Sequence, residues 1–344
     1  MKNSGECKQT CYVKNSAGLL ILLITDSFIG GSHWFRKSRK RFQKGLFSMR
    51  SKSDEKAFHI MLIPAMVFLF VFSVIPMFGV IMAFQRYVPA KGIFGSDFVG
   101  WDNFARVFLY KDVRLVIGNT VIIAVGKIVL GLLASVIFAL MLNEVKFTPY
   151  KRFVQTVAYL PNFLSWVILG IMISNMFSYT GVVNTVLGAF GIEPRIFLID
   201  NNWFRPIVVG SDVWKTFGYG AIVYIAAITA IDSNIYEAAE IDGANRWHKI
   251  IYITLPSIRP TIVLLATLSL GSVLNAGFEQ ILVMYNPLVY STADIIDTYV
   301  YRMGLVQLQF SFGTAVGLFK SVVSFVLIII SYVLADKFAG YSIF

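Results

Sequence analysis

Six stretches of this 344-residue chain stay apolar for twenty or more residues at a time, and nothing else in the sequence restricts its fold so strongly. They run roughly from Ala57 to Phe84, Val116 to Leu142, Gln155 to Phe177, Ile207 to Ala230, Thr261 to Tyr285 and Ala315 to Ala335. Hydrocarbon offers no hydrogen-bond partner to a free backbone group, so segments of this length read as spanning helices whose amides bond internally. Only 14% of residues are charged and 57% are hydrophobic, where a soluble domain carries about 25% charged residues. The net charge of +11 would suit nucleic acid on a polar surface, but a mean hydropathy of +0.70 excludes that class and turns the basic excess toward a membrane surface. The expected fold class is an all-α membrane protein with six transmembrane helices.

The distribution of Lys and Arg sets the orientation, because cytoplasmic connections retain positive charge. With the N-terminus inside, the cytoplasmic pieces hold 19 of the 30 basic residues and the outer pieces 8, so both termini are expected in the cytoplasm. The resulting organisation is a basic cytoplasmic tail over residues 1–56, a first transmembrane helix with its extracytoplasmic loop over 57–115, and a core over 116–338 with a cytoplasmic loop at 231–260. The run Ala17 to Thr25, preceded by Lys2, Lys8 and Lys14, has the outline of a signal peptide. Cleavage there would export the basic block from Arg36 to Lys56 against the charge rule, so a tail lying on anionic lipid is preferred.

Catalytic chemistry finds little to stand on. Cys7 and Cys11 cannot build a disulfide framework, and His33, His59 and His248 are scattered far from them, so no metal site and no catalytic residue is expected. No phosphate-cradling loop is present either. The nearest string, Gly210 to Thr216 (GSDVWKT), has Trp214 where the pattern needs glycine before the lysine.

The connection Ile231 to Pro260, IDSNIYEAAEIDGANRWHKIIYITLPSIRP, is unlike the rest. Asn234 three residues before Glu237 forms a capping-box pattern that should open a short helix. Gly243 is placed to end it with positive φ, Asn245 or a neighbour to open a second, and Pro256 and Pro260 to limit that one. Ala238, Ala239 and Ala244 keep one face small, while Trp247, Ile250, Ile251 and Ile253 offer bulk that open water would not reward. Such a surface is shaped to dock.

This spacing resembles the EAA loop of permease subunits of ATP-binding-cassette importers. Glu237, Ala238 and Ala239 match its first block, Asp242, Gly243 and Ala244 its second, and Ile253, Leu255 and Pro256 its exit. The resemblance runs from about Ala57 to the C-terminus, and the stretch Phe278 to Leu305 looks like the permeases that import oligosaccharides, acidic ones included. It implies a type I importer permease fold in the bacterial cytoplasmic membrane. It also implies that Glu237 to Ala244 form a coupling helix seated on an ATPase, and that the chain is a transport subunit without cofactor of its own. ATP and magnesium then belong to two partner ATPase subunits. A second homologous permease in a heterodimer, an extracytoplasmic solute-binding protein and membrane lipid complete the partners, with no nucleic acid among them.

Five ionisable residues, Lys127, Asp212, Lys215, Glu279 and Lys320, fall inside spans and default to function. Asp212 and Lys215, three apart on one helix, can pair, which leaves them a structural reading beside the functional one. Asn275, Phe278 and Glu279 of the fifth span, with Trp214 and Lys215 of the fourth and Lys320 of the sixth, are the expected lining of the substrate path, since such groups hydrogen-bond sugar hydroxyls and stack on sugar faces. The outer connections, Gln85 to Leu115 and Asn286 to Thr314 with Asp294, Asp297 and Arg302, serve either as a docking surface for the binding protein or as solvated caps. The alternative from another class is an ion-coupled secondary transporter with Glu279 and Asp212 as ion sites.

Overall fold

The structure, a computed structural model, describes residues 52–339. The basic tail up to residue 51, with the run Ala17 to Thr25 and both cysteines, lies outside the described residues. The chain divides into two compact units, Met1–Met77 and Phe78–Phe344. In the first, helix α1 (Lys52–Leu69) starts ahead of the expected Ala57 and passes through a π-turn at Phe70–Val74. Its apolar side chains are almost all exposed, Ile60, Met61, Phe68 and Phe72 among them.

The second unit opens with a 3-10 helix (Phe78–Phe84), followed by a pair of two-residue strands, β1 (Gln85–Arg86) against β2 (Asp97–Phe98), antiparallel with Gln85 opposite Phe98. The principal helices follow: α2 (Asp102–Leu109), α3 (Lys111–Asn143), α4 (Thr148–Tyr159), α5 (Trp166–Met176), α6 (Asn201–Thr229), α7 (Ser233–Ile241), α8 (Arg246–Lys249), α9 (Leu255–Leu270), α10 (Phe278–Met284), α11 (Ile296–Val300) and α12 (Phe310–Ala339). Among the described residues, four runs are each long and apolar enough to cross a membrane: His59–Phe84, Lys111–Asn143, Arg246–Leu270 and Phe310–Leu334. Two bent pairs qualify only when each is taken as one span, Thr148–Phe163 with Trp166–Met176 and Asn201–Thr229 with Ser233–Ile241.

Three departures from the sequence reading have local causes. The expected third span, Gln155 to Phe177, bends by 100°, because Pro161 closes a short 3-10 turn (Leu160–Phe163) and the Ser165 side chain caps α5 by accepting from the Ile168 amide. The fifth span does not run from Thr261 to Tyr285. Its long helical run is Arg246–Leu270, and the chain then unwinds through Gly271–Gly277, where Gly277 takes φ +91°, before α10 restarts. Pro256 and Pro260 do not end the helix either. Pro256 is the second residue of α9, directly after the π-turn Ile250–Thr254, and Pro260 is carried within the helix.

Packing between spans relies on small residues, because apolar side chains gain nothing by leaving lipid for each other. Helices α3 and α6 meet along Gly126, Ser135 and Ala139 on one side and Val209, Gly220 and Ala221 on the other. A buried cluster of Ile123, Leu169, Phe204, Val208 and Ile281 joins α3, α5, α6 and α10. A second cluster, with Val116, Tyr299, Phe312 and Ala315, joins α3, α11 and α12. Outward-facing residues such as Leu130, Leu133, Ile137, Phe325 and Val326 stay exposed, as a lipid-facing surface requires and a water-facing one would not tolerate.

Gly218 shows how tight the contacts are. A methyl group there would collide with the carbonyl of Ala158 on α4, whereas one at Gly210 would meet open space. Gly218→Ala is therefore expected to destabilise the detergent-solubilised protein by about 1–3 kcal/mol, read as a lower midpoint of thermal unfolding, with Gly210→Ala close to wild type.

Candidate functional sites: the 231–260 loop and a buried lysine cluster

Helix α7 leaves α6 at a bend of 70°. Its N-cap is Asp232, whose carboxylate accepts from the Asn234 amide at 3.0 Å. Asn234 lies inside the helix and makes no capping box with Glu237, because the chain turns into helix two residues earlier than the Asn–Glu spacing suggests. The C-terminus follows the expectation closely. Gly243 sits at φ +78°, its amide bonds the Glu240 carbonyl at 3.1 Å, and the Ala244 amide bonds the Ala239 carbonyl at 2.8 Å. This is a Schellman cap, which a left-handed glycine makes inexpensive. Asn245 then caps α8 by accepting from the His248 amide at 2.9 Å.

Glu237, Ala238, Asp242 and Gly243 are exposed, with Ala239 and Ala244 half-buried. Beside them Ile241 is 88% and Trp247 71% exposed, an apolar surface on an otherwise polar loop. The ammonium of Lys249 bonds Glu240 at 2.5 Å, and this hydrogen bond and charge hold the Glu240 carboxyl below the usual carboxylate range. The hydroxyl of Tyr236 lies 2.8 Å from that of Thr254, in the π-turn Ile250–Thr254 that joins α8 to α9.

The second site lies where the fifth span unwinds. Lys127 of α3 is buried and spends its ammonium on three acceptors: the Ala276 carbonyl at 2.7 Å, the Gln280 side-chain oxygen, and the Asp212 carboxylate of α6 at 3.2 Å. Gln280 in turn donates to the Val208 carbonyl at 2.8 Å and the Ser211 hydroxyl at 2.9 Å. Gly277 holds φ +91°, a conformation that favours glycine, and a methyl group there would stand 2.6 Å from the Lys127 nitrogen and push the ammonium aside. In front of the cluster is a cavity of about 200 Å³ lined by Lys127, Asp212, Ser272, Asn275 and Gly277, with two apolar neighbours.

The pairing of Asp212 with Lys215 that helical spacing allows does not form. Lys215 is buried and donates instead to the carbonyls of Pro161, Asn162 and Leu164, with the Trp166 ring 5.4 Å away. Those carbonyls converge at the bend between α4 and α5, where the Pro161 carbonyl also accepts from the Leu164 amide at 3.2 Å, and the long lysine chain reaches all three of them instead of reaching along its own helix. Lys320 is likewise engaged, 2.6 Å from Asp297. Of the remaining expected path residues, Asn275 lines the cavity, Trp214 and Glu279 are exposed, and Phe278 is half-buried with its ring 5.8 Å from that of Tyr301. Asp294 is buried and bonded to Arg302 and Thr298, which removes it from any docking surface. Ser272 and Gln280 were outside the expected path, whereas Lys127, a charge within an apolar run, was expected to be functional without being placed in that path.

Residues 127–340 match the family model described as binding-protein-dependent transport system inner membrane component. The chain is 42% identical to Protein LplB of Bacillus subtilis strain 168 over 86% of its own length and 93% of that protein. It is 38% identical to the polygalacturonan/rhamnogalacturonan transport system permease protein YteP of the same organism, over 85% and 91%. Among solved structures it resembles a chain of the bacterial alginate ABC transporter in complex with an alginate pentasaccharide-bound periplasmic protein, with 37% identity, a TM-score of 0.75, and 83% and 96% of the two chains covered. The chain therefore belongs to the family of binding-protein-dependent transport system inner membrane components, the permease subunits of ATP-binding-cassette importers, and is a multi-pass transport subunit whose ATP is hydrolysed by a separate protein.

Proposed function

We propose that this chain is one of two permeases that together carry an oligosaccharide across the bacterial cytoplasmic membrane, with six spans and both termini in the cytoplasm. The six spans are the four long runs, the bent α4–α5 pair and α6, with α7 left in the cytoplasmic loop, and the orientation rests on the basic excess of 19 against 8 residues. Two ATPase subunits binding ATP and magnesium drive it, and an extracytoplasmic binding protein delivers the cargo. The observation that carries the reading is the Glu237, Ala238, Ala239, Asp242, Gly243, Ala244 pattern on an exposed, capped helix at a sharp bend. Closure of the ATPase dimer presses α7, the paired permeases turn outward, cargo enters, and hydrolysis resets them.

Oligosaccharide cargo is supported by the names of the relatives, which include a polygalacturonan/rhamnogalacturonan transport permease and an alginate transporter. The cavity chemistry agrees. Asp212 accepts, Ser272 and Asn275 both donate and accept, and together they suit sugar hydroxyls. Trp214, Asn275, Phe278 and Glu279 remain the proposed path, whereas Lys215 and Lys320 hold the protein's own groups. The ion-coupled alternative is disfavoured by family membership, and Asp212 already has its cation in Lys127.

Glu237→Lys with Gly243→Asp is expected to weaken copurification of the ATPase at least tenfold, a change of about 1.4 kcal/mol, measured on the tagged complex. Retained ATPase binding would reject α7 as the docking element. Asn275→Ala is expected to lower cargo uptake by the reconstituted complex about fivefold, the worth of one hydrogen bond of roughly 1 kcal/mol. Unchanged uptake in both Asn275→Ala and Glu279→Gln would place the path elsewhere.

A further inference from the structure

The ties that hold α7 are unequal on its two sides. Toward α6 the chain passes through Ala230, Ile231 and Asp232 at a 70° bend, held by backbone turn hydrogen bonds and by the local Asp232 side-chain cap on the Asn234 amide. Toward the fifth span two side chains reach across. The Tyr236 hydroxyl meets Thr254 at 2.8 Å, and Glu240 meets Lys249 at 2.5 Å. These contacts are made one turn apart on α7, so together they oppose rotation as well as translation. Thr254 is 2% exposed, and its hydroxyl also donates to the Lys249 carbonyl at 3.3 Å, five residues back across the π-turn. A π-turn widens the backbone ladder and is a weak point in a helix unless a side chain closes it, which Thr254 does here. Beyond it α9 runs without a break to Leu270, about 24 Å from Thr254 at 1.5 Å per residue. It ends at the unwound Gly271–Gly277 segment that carries Ser272 and Asn275 to the cavity.

We propose that Tyr236 and Glu240 latch α7 to α8 and α9, so that displacement of α7 is delivered through the fifth span to the Gly271–Gly277 segment, while the junction with α6 flexes. Tyr236 and Thr254 are positioning residues in this scheme. The inference rests on the reading that α7 seats on an ATPase, and it adds which span receives the push and through which atoms.

The test uses the full complex with its copurified ATPase, in lipid nanodiscs, in a Cys7→Ser, Cys11→Ser background. Spin labels are placed at Ile241→Cys with Leu268→Cys, and separately at Ile241→Cys with Ile222→Cys, all exposed positions. Distances are measured by pulsed electron paramagnetic resonance before and after trapping with ATP and vanadate. The expected result is a 241–268 distance that holds on trapping and a 241–222 distance that shifts. In Tyr236→Phe/Lys249→Met and in Thr254→Val the 241–268 distribution should shift or broaden on trapping, and Thr254→Ser should restore the wild-type behaviour. A wild-type 241–268 shift with a constant 241–222 distance overturns the proposal, as does a Tyr236→Phe/Lys249→Met distribution identical to wild type. Absence of an ATPase from the purified complex is read separately, by copurification, and overturns the docking reading itself.

Discussion

A free carbonyl is least tolerable where no water can reach it, and this chain breaks two of its apolar spans all the same. Lysine meets the need in both places. At the bend between α4 and α5, Lys215 gathers the carbonyls of Pro161, Asn162 and Leu164. At the unwound part of the fifth span, Lys127 takes the Ala276 carbonyl. Neither charge is left bare. Trp166 lies beside Lys215 and Asp212 beside Lys127, so each cation has a favourable partner besides the carbonyls. Without these two side chains the bends would carry unsatisfied backbone, and the cavity, which exists because the fifth span unwinds, would have no stable wall.

Small residues then let the bent elements approach. Gly277 leaves room for the Lys127 ammonium, Gly218 for the Ala158 carbonyl and Gly220 for Ser135. Gln280 completes the arrangement by bonding Lys127 with its oxygen and α6 with its nitrogen. Three spans are thereby locked around one polar point, and the cavity opens beside it. Asp212 and its partner Lys127 both line the cavity, so the opening presents the ion pair side by side with Ser272 and Asn275.

The loop at 231–260 was legible because its structure is local. Gly243 and Ala244 close α7 through hydrogen bonds to Glu240 and Ala239, and Asn245 opens α8, all within a few residues. Even here the start was misplaced, because Asp232 and Asn234 are both good caps and only the direction of the incoming α6 chain selects between them. The substrate path was less legible. Lys215 and Lys320 look alike in sequence to any pathway charge, yet each is consumed by a partner more than twenty residues away.

From the sequence alone came the apolar spans, the basic asymmetry and the EAA-like loop, because length, hydropathy and short-range spacing act within one element. Tertiary structure alone decided where the third and fifth spans break and what the buried charges hold. An Asp212–Lys215 pair satisfies helical spacing, but spacing says nothing of the competing acceptors. The carbonyls that claim Lys215 come from the α4–α5 bend, and the lysine that claims Asp212 comes from α3. A long side chain goes to the cluster of acceptors within its reach, and which groups those are becomes known only when the spans are packed together.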